Sequence, residues 1–131
     1  MATKVKKEQR NTERLMAVKV TGGYQHERDM TRIVVSWCIN HFKLDVHNTD
    51  INVSLKPRFT DCYGTCVDND EGGYDIEICF NQSLRDFVAT IVHEMVHVKQ
   101  YATGKWKGTG EREASDLQYK LTDKLWKENI L

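Results

Sequence analysis

At 131 residues the chain has the length of a single domain, able to bury about two-thirds of its surface on folding. Apolar residues make up 40% and charged residues 29%, and 19 basic side chains balance 19 acidic ones. No net field therefore favours nucleic acid or an anionic membrane, and no apolar run reaches bilayer-spanning length, so neither partner is expected.

Met1 to Arg14 is polar and charged, carrying Lys4, Lys6, Lys7 and Arg10. It reads as a flexible arm rather than a secretion signal, with residues 15–131 forming one domain. Leu15 to Val20 is a short apolar segment ending at Gly22-Gly23, and its pattern assigns it to no element. From about Gln25 to Phe42, the positions Met30, Ile33, Val34, Trp37 and His41 follow a helical period, which predicts a helix walling the core. His41 is expected to cap or pack there.

Three strand-like runs follow. Ile51, Val53 and Leu55 alternate with polar residues until Pro57. Tyr63 to Asp68 comes next, then a turn rich in Asp, Asn and Gly up to Gly73. Tyr74 to Phe80 alternates again, with Ile76, Ile78 and Phe80 on one face. The cysteines Cys38, Cys62, Cys66 and Cys79 form no C-x-x-C pair. In a chain read as lacking a secretion signal they are expected to be reduced and mostly buried or half-buried, in a cytoplasmic setting. Cys62-x-x-x-Cys66 offers a weak alternative as a second metal site or a disulfide.

The chemistry is concentrated in His93-Glu94-Met95-Val96-His97, an H-E-x-x-H motif. Ser83 and Asp86 resemble a helix-start box, the apolar series Leu84, Phe87, Val88, Ile91, Val92, Met95 follows, and Gly104 lies where a helix should stop. The motif thus falls in mid-helix, with residues i and i+4 one above the other on a single face. Two imidazoles so placed reach one metal ion, with the glutamate beside it as general base. Zinc suits two neutral nitrogens and an oxygen, keeping one position open for water. The competing reading is a core helix whose two histidines are merely hydrogen-bonded. Without a partner, however, two ionisable rings and a carboxylate are costly to bury.

A third ligand is expected downstream. The seven residues Gly104 to Gly110 span roughly 20 Å, enough to fold the chain back. They lead to the acidic cluster Glu111-Arg112-Glu113-Ala114-Ser115-Asp116. From Glu111 to Trp126 a second helix is predicted, with Ala114, Leu117, Gln118, Leu121 and Leu125 along one side. Acidic residues also favour helix starts through the dipole alone.

These stretches resemble the zincin superfamily, in particular its small His-His-Glu members, the gluzincins or minigluzincins, many of them phage-encoded or prokaryotic. The resemblance is carried by His93-Glu94-Met95-Val96-His97-Val98-Lys99-Gln100 and by Glu111-Arg112-Glu113-Ala114, and the order of elements from His26 to Trp126 agrees with it. It implies an α+β fold: an N-terminal helix, a small three-stranded sheet (mixed or antiparallel), the motif helix and a C-terminal ligand helix. Matching Ala114 to the small residue of the related E-x-x-A-[DN] pattern makes Glu111 the third zinc ligand, after His93 and His97. Glu113, with Asp116 one turn on, is the rival. The chain departs from the pattern at Ser115, where Asp or Asn often supports the ligands.

The function implied is a zinc metallopeptidase with one zinc ion per chain and Glu94 as general base. Its partner would be a protein or peptide, added as a strand to a sheet edge in the Tyr63–Phe80 hairpin. The setting would be the host cytoplasm if a phage encodes the chain. Tyr63, Tyr74, Tyr101, Tyr119, His26, His41 and His47 are the candidates for stabilising the oxyanion. One alternative is a zinc-containing binding module without catalysis, against which Glu94 argues. Another is a DNA-associated SprT-like protease, which commonly uses a third histidine, whereas no histidine follows His97. Substrate identity and oligomeric state are not encoded in any motif.

Overall fold

The computed structural model describes residues 18–44, 49–58, 63–69 and 72–131. The expected arm, residues 15–17 of the unassigned segment, His47, Cys62 and part of the Asp68–Gly73 turn lie outside the described residues. Within them the chain is α+β. In order run β1 (Val18–Gly22), α1 (Gln25–His41), β2 (Asp50–Lys56), β3 (Gly64–Asp68), β4 (Gly73–Cys79), α2 (Leu84–Thr103) and α3 (Glu111–Lys127).

The sheet has four strands rather than the three expected, in the order β1-β2-β4-β3. The added member is β1, the end of the segment that sequence alone left unassigned. Its alternation covers only Val18 and Val20, too short to register as a period. Its partner lies some thirty residues on, where Val18 pairs with Ile51 and Val20 with Val53. β1 and β2 run parallel, and parallel neighbours need a crossover, which α1 supplies. β2 and β4 are also parallel, while β3 is antiparallel to β4 and ends the sheet.

One sheet face forms the core floor: Val18, Val20, Ile51, Val53, Leu55, Ile76 and Ile78 are all buried. The other face carries Lys19, Asp75 and Glu77 in solvent. Helices α1 and α2 cover the apolar face, and α3 packs beside α2 through Leu121 and Leu125.

The buried stripe of α1 is rotated from the predicted one. Val34, Val35, Cys38 and Ile39 face the core, while Met30 and Trp37 lie at its margin and Ile33 is 44% exposed. Two overlapping apolar stripes fit a 3.6-residue period here, and the one formed by Val34, Val35, Cys38 and Ile39 is turned inward. In α2 the predicted boundaries hold. Ser83 Oγ accepts from the Asp86 backbone N–H at 3.2 Å, and Gly104 ends the helix with a left-handed φ of +68°.

Candidate metal centre

Helix α2 lies with one face in the core and the opposite stripe in an open cleft of about 880 Å³. Phe87, Val88, Ile91, Val92 and Met95 hold it to the sheet. This leaves Asp86, Thr90, His93, Glu94, His97 and Tyr101 in the cleft. The edge strand β3 forms one wall with Gly64, Thr65 and Cys66, and α3 forms the other with Glu111, Gln118 and Tyr119.

His93, His97 and Glu111 come together, their potential ligand atoms all within 4.8 Å of one another. Glu111 Oε2 is 3.0 Å from His93 Nε2, and Glu111 Oε1 is 2.8 Å from His97 Nε2. The imidazole centroids are 5.1 Å apart and nearly perpendicular. Each ring is also held at its other nitrogen by a glutamine. His93 Nδ1 lies 2.6 Å from Gln118 Oε1, and His97 Nδ1 lies 2.8 Å from Gln100 Oε1.

This donor set fits a divalent ion. If the contacts to Glu111 were only ion pairs, both rings would carry two protons, side by side, against a single carboxylate. In the tautomer that donates each Nδ1–H to its glutamine oxygen, both Nε2 atoms are instead free to share one cation with Glu111. Ring nitrogens held in this way from behind are the usual arrangement around metals. Glu111 is 60% exposed at its side chain, so the fourth side of the group opens to solvent.

Glu113, the rival third ligand, points elsewhere. Its carboxylate accepts from Gln100 Nε2 at 2.9 Å and pairs with Lys99 Nζ at 3.1 Å. The Gln100 hydrogen bond foremost, and Lys99 with it, hold its carboxyl below the usual range.

Glu94 is 5% exposed, next to the His-His-Glu group. Burial pushes its carboxyl above the ordinary range, the two histidines pull it back, and Glu111 adds to the rise. Such a carboxyl is suited to exchanging protons. Gly64 of β3 passes directly over it. A Cβ at that position would come within 2.8 Å of Thr90 Cγ2 and 3.0 Å of Glu94 Oε2. Only glycine lets the strand approach so near.

Of the oxyanion candidates, Tyr63, Tyr101 and Tyr119 line the cleft. The Tyr119 hydroxyl donates to Asp86 Oδ1 at 2.6 Å, so its proton is already engaged. Tyr74 stacks on Tyr101, His26 on Tyr24, and His41 on Trp37 at 4.6 Å, the packing role expected of it. Cys38, Cys66 and Cys79 are free thiols, and burial pushes the Cys38 and Cys66 thiols far up.

Comparison with protein-family models, with curated proteins and with solved structures finds no match for the chain. Gln100, within the motif stretch, and Gln118, on the predicted face of the second helix, carry no assigned role in the sequence, yet each holds a histidine of the group. Their signal was a polar side chain inside an apolar helical stripe, three residues after His97 and seven after Glu111.

Proposed function

We propose that the protein is a zinc-dependent peptidase of the zincin type, with His93, His97 and Glu111 as metal ligands and Glu94 as general base. The observation that carries this reading is a buried Glu94 beside a His-His-Glu group that opens into a cleft. A purely structural site has no use for such a carboxylate. Closed structural sites surround their metal with four protein ligands, whereas among the described residues this group supplies three.

Zinc at this site would polarise a peptide carbonyl and acidify a water molecule. Glu94 takes the proton of the attacking water and delivers it to the leaving amine. Its burial raises its affinity for that proton. The substrate is an extended peptide, bound by backbone pairing to β3, the terminal strand of the sheet. Because β3 crosses above Glu94 at Gly64, such a peptide lies over the metal group with little demand on its sequence.

The test is hydrolysis of an unfolded protein or a quenched fluorescent peptide library by the zinc-loaded protein and its Glu94→Gln variant. Glu94→Gln should bind zinc as the parent does and lose about 10²–10⁴-fold in rate. Full activity in that variant would remove Glu94 from the chemistry. Stoichiometric zinc without hydrolysis in the parent would favour the binding-module alternative.

A further inference from the structure

Gln100 is 2% exposed at the C-terminal end of α2, and both ends of its amide are engaged. Nε2 donates to the Gly110 carbonyl oxygen at 2.9 Å and to Glu113 Oε1 at 2.9 Å. Oε1 lies 2.8 Å from His97 Nδ1. These partners settle the orientation of the amide, because a carbonyl and a carboxylate can only accept. Turned over, Gln100 would set its oxygen against two acceptors in a buried site and leave its amide hydrogens without partners. The oxygen therefore faces His97, and His97 Nδ1 must be the donor. A neutral ring with its proton on Nδ1 presents a bare Nε2 to Glu111 Oε1, 2.8 Å away, two acceptors that a shared cation reconciles.

The other end of the same amide acts on α3. Gly110 is the N-cap of that helix, with φ at +80°, immediately before Glu111. A Cβ at Gly110 would collide with Gln100 Oε1, so the loop seats itself against this amide only because residue 110 has no side chain. The carbonyl that Gln100 grips belongs to the peptide unit leading into Glu111.

We propose that Gln100 is a positioning residue joining the two halves of the metal site: one amide sets the tautomer of His97 and, through Gly110, seats Glu111 opposite it. Gln118 mirrors it, reaching from α3 to His93 of α2. The two helices are thus tied crosswise by neutral amides. This goes beyond the peptidase reading and rests on it only for the identity of what is positioned. The hydrogen bonds exist whether or not any peptide is cleaved.

The experiment uses the whole chain labelled with ¹⁵N-histidine. Long-range ¹H–¹⁵N spectra of the metal-free protein identify the protonated nitrogen of each ring. Zinc affinity is then measured by competition with a chromophoric chelator. His97 of the wild type should carry its proton on Nδ1. In Gln100→Met, which keeps the volume and removes both arms, the proton should move to Nε2 and zinc should bind about 10–100-fold more weakly. Gln100→Glu keeps an acceptor for His97 and removes the donor arm, so it should retain the Nδ1 proton and still lose zinc affinity. A wild-type His97 protonated on Nε2 alone, with Nδ1 bare, overturns the proposal without any variant. Wild-type zinc affinity in Gln100→Glu would overturn the seating of Glu111. A parent protein that takes up no zinc sinks the peptidase reading instead, and the tautomer, read without metal, is judged separately.

Discussion

Helices α1 and α2 cover the same face of the same sheet, yet they bury different chemistry. Helix α1 sends Val34, Val35, Cys38 and Ile39 inward, with Thr31 the sole polar residue among its buried positions, and its hydroxyl bonds back to the Glu27 carbonyl at 2.7 Å. Helix α2 buries Glu94, His97 and Gln100 among its apolar residues. The histidines sharpen the contrast. His41 of α1 is exposed and stacked on Trp37, whereas His93 and His97 each have a partner at both ring nitrogens. A buried polar stripe is stable only if a neighbour satisfies it, and for α2 that neighbour is α3. Helix α3 thus completes α2 chemically as well as by packing.

The largest effect separating the two helices should appear in metal content. Native mass spectrometry of His97→Ala should show no bound zinc, while His41→Ala should keep one zinc per chain. Equal loss in both variants would erase the distinction. Next comes the cost of packing. Ile39→Ala should lower stability by about 2–4 kcal/mol in urea denaturation, because Ile39 is 2% exposed, and Ile33→Ala should stay within about 0.5 kcal/mol. Reversed magnitudes would restore the stripe that periodicity alone suggested for α1. A smaller effect is expected at the strand above α2. Gly64→Ala brings a methyl group against Thr90 and Glu94, so β3 or the carboxylate must shift. Hydrolysis should fall about tenfold while zinc stays bound, consistent with a displacement of roughly an ångström or less at the chemistry. Unchanged turnover would mean that the strand has room to move.

How much of this was legible in the sequence differs between the same two helices. In α2, a cap at Ser83, a stop at Gly104 and a chemical motif between them agree, so its limits and its solvent stripe both hold. In α1 only hydrophobicity spoke, and Ile33 and Val34 are adjacent, so the phase of the buried stripe was undetermined. β1 was invisible for another reason, because a five-residue parallel strand is defined by a partner far along the chain. At the site, His93, Glu94 and His97 were readable from helical spacing. The choice between Glu111 and Glu113 depended on how α3 meets α2. At that junction Gln100 Nε2 donates to the carbonyl oxygen of Gly110, the N-cap of α3, a contact that no spacing rule contains.

The smallest effect is the most diagnostic of that helix junction. Glu113 lies two residues from Glu111 on α3, but it serves Gln100 and Lys99 rather than the His-His-Glu group. Because its folded-state carboxyl is held below the ordinary value, its stabilisation is present at neutral pH. That contribution is lost as pH falls below the unfolded carboxylate value and through the lower folded one. Glu113→Gln should therefore cost about 0.5 kcal/mol near neutrality, an amount typical of a partly exposed pair, and nothing at strongly acid pH. The difference between parent and variant denaturation midpoints, followed downward from pH 7, should close within the acid range. Zinc stoichiometry should remain unchanged throughout at neutral pH, whereas Glu111→Gln should lower it. If Glu113→Gln abolishes zinc binding and Glu111→Gln does not, the two carboxylates have exchanged roles, and α3 meets α2 in a different rotation from the one described.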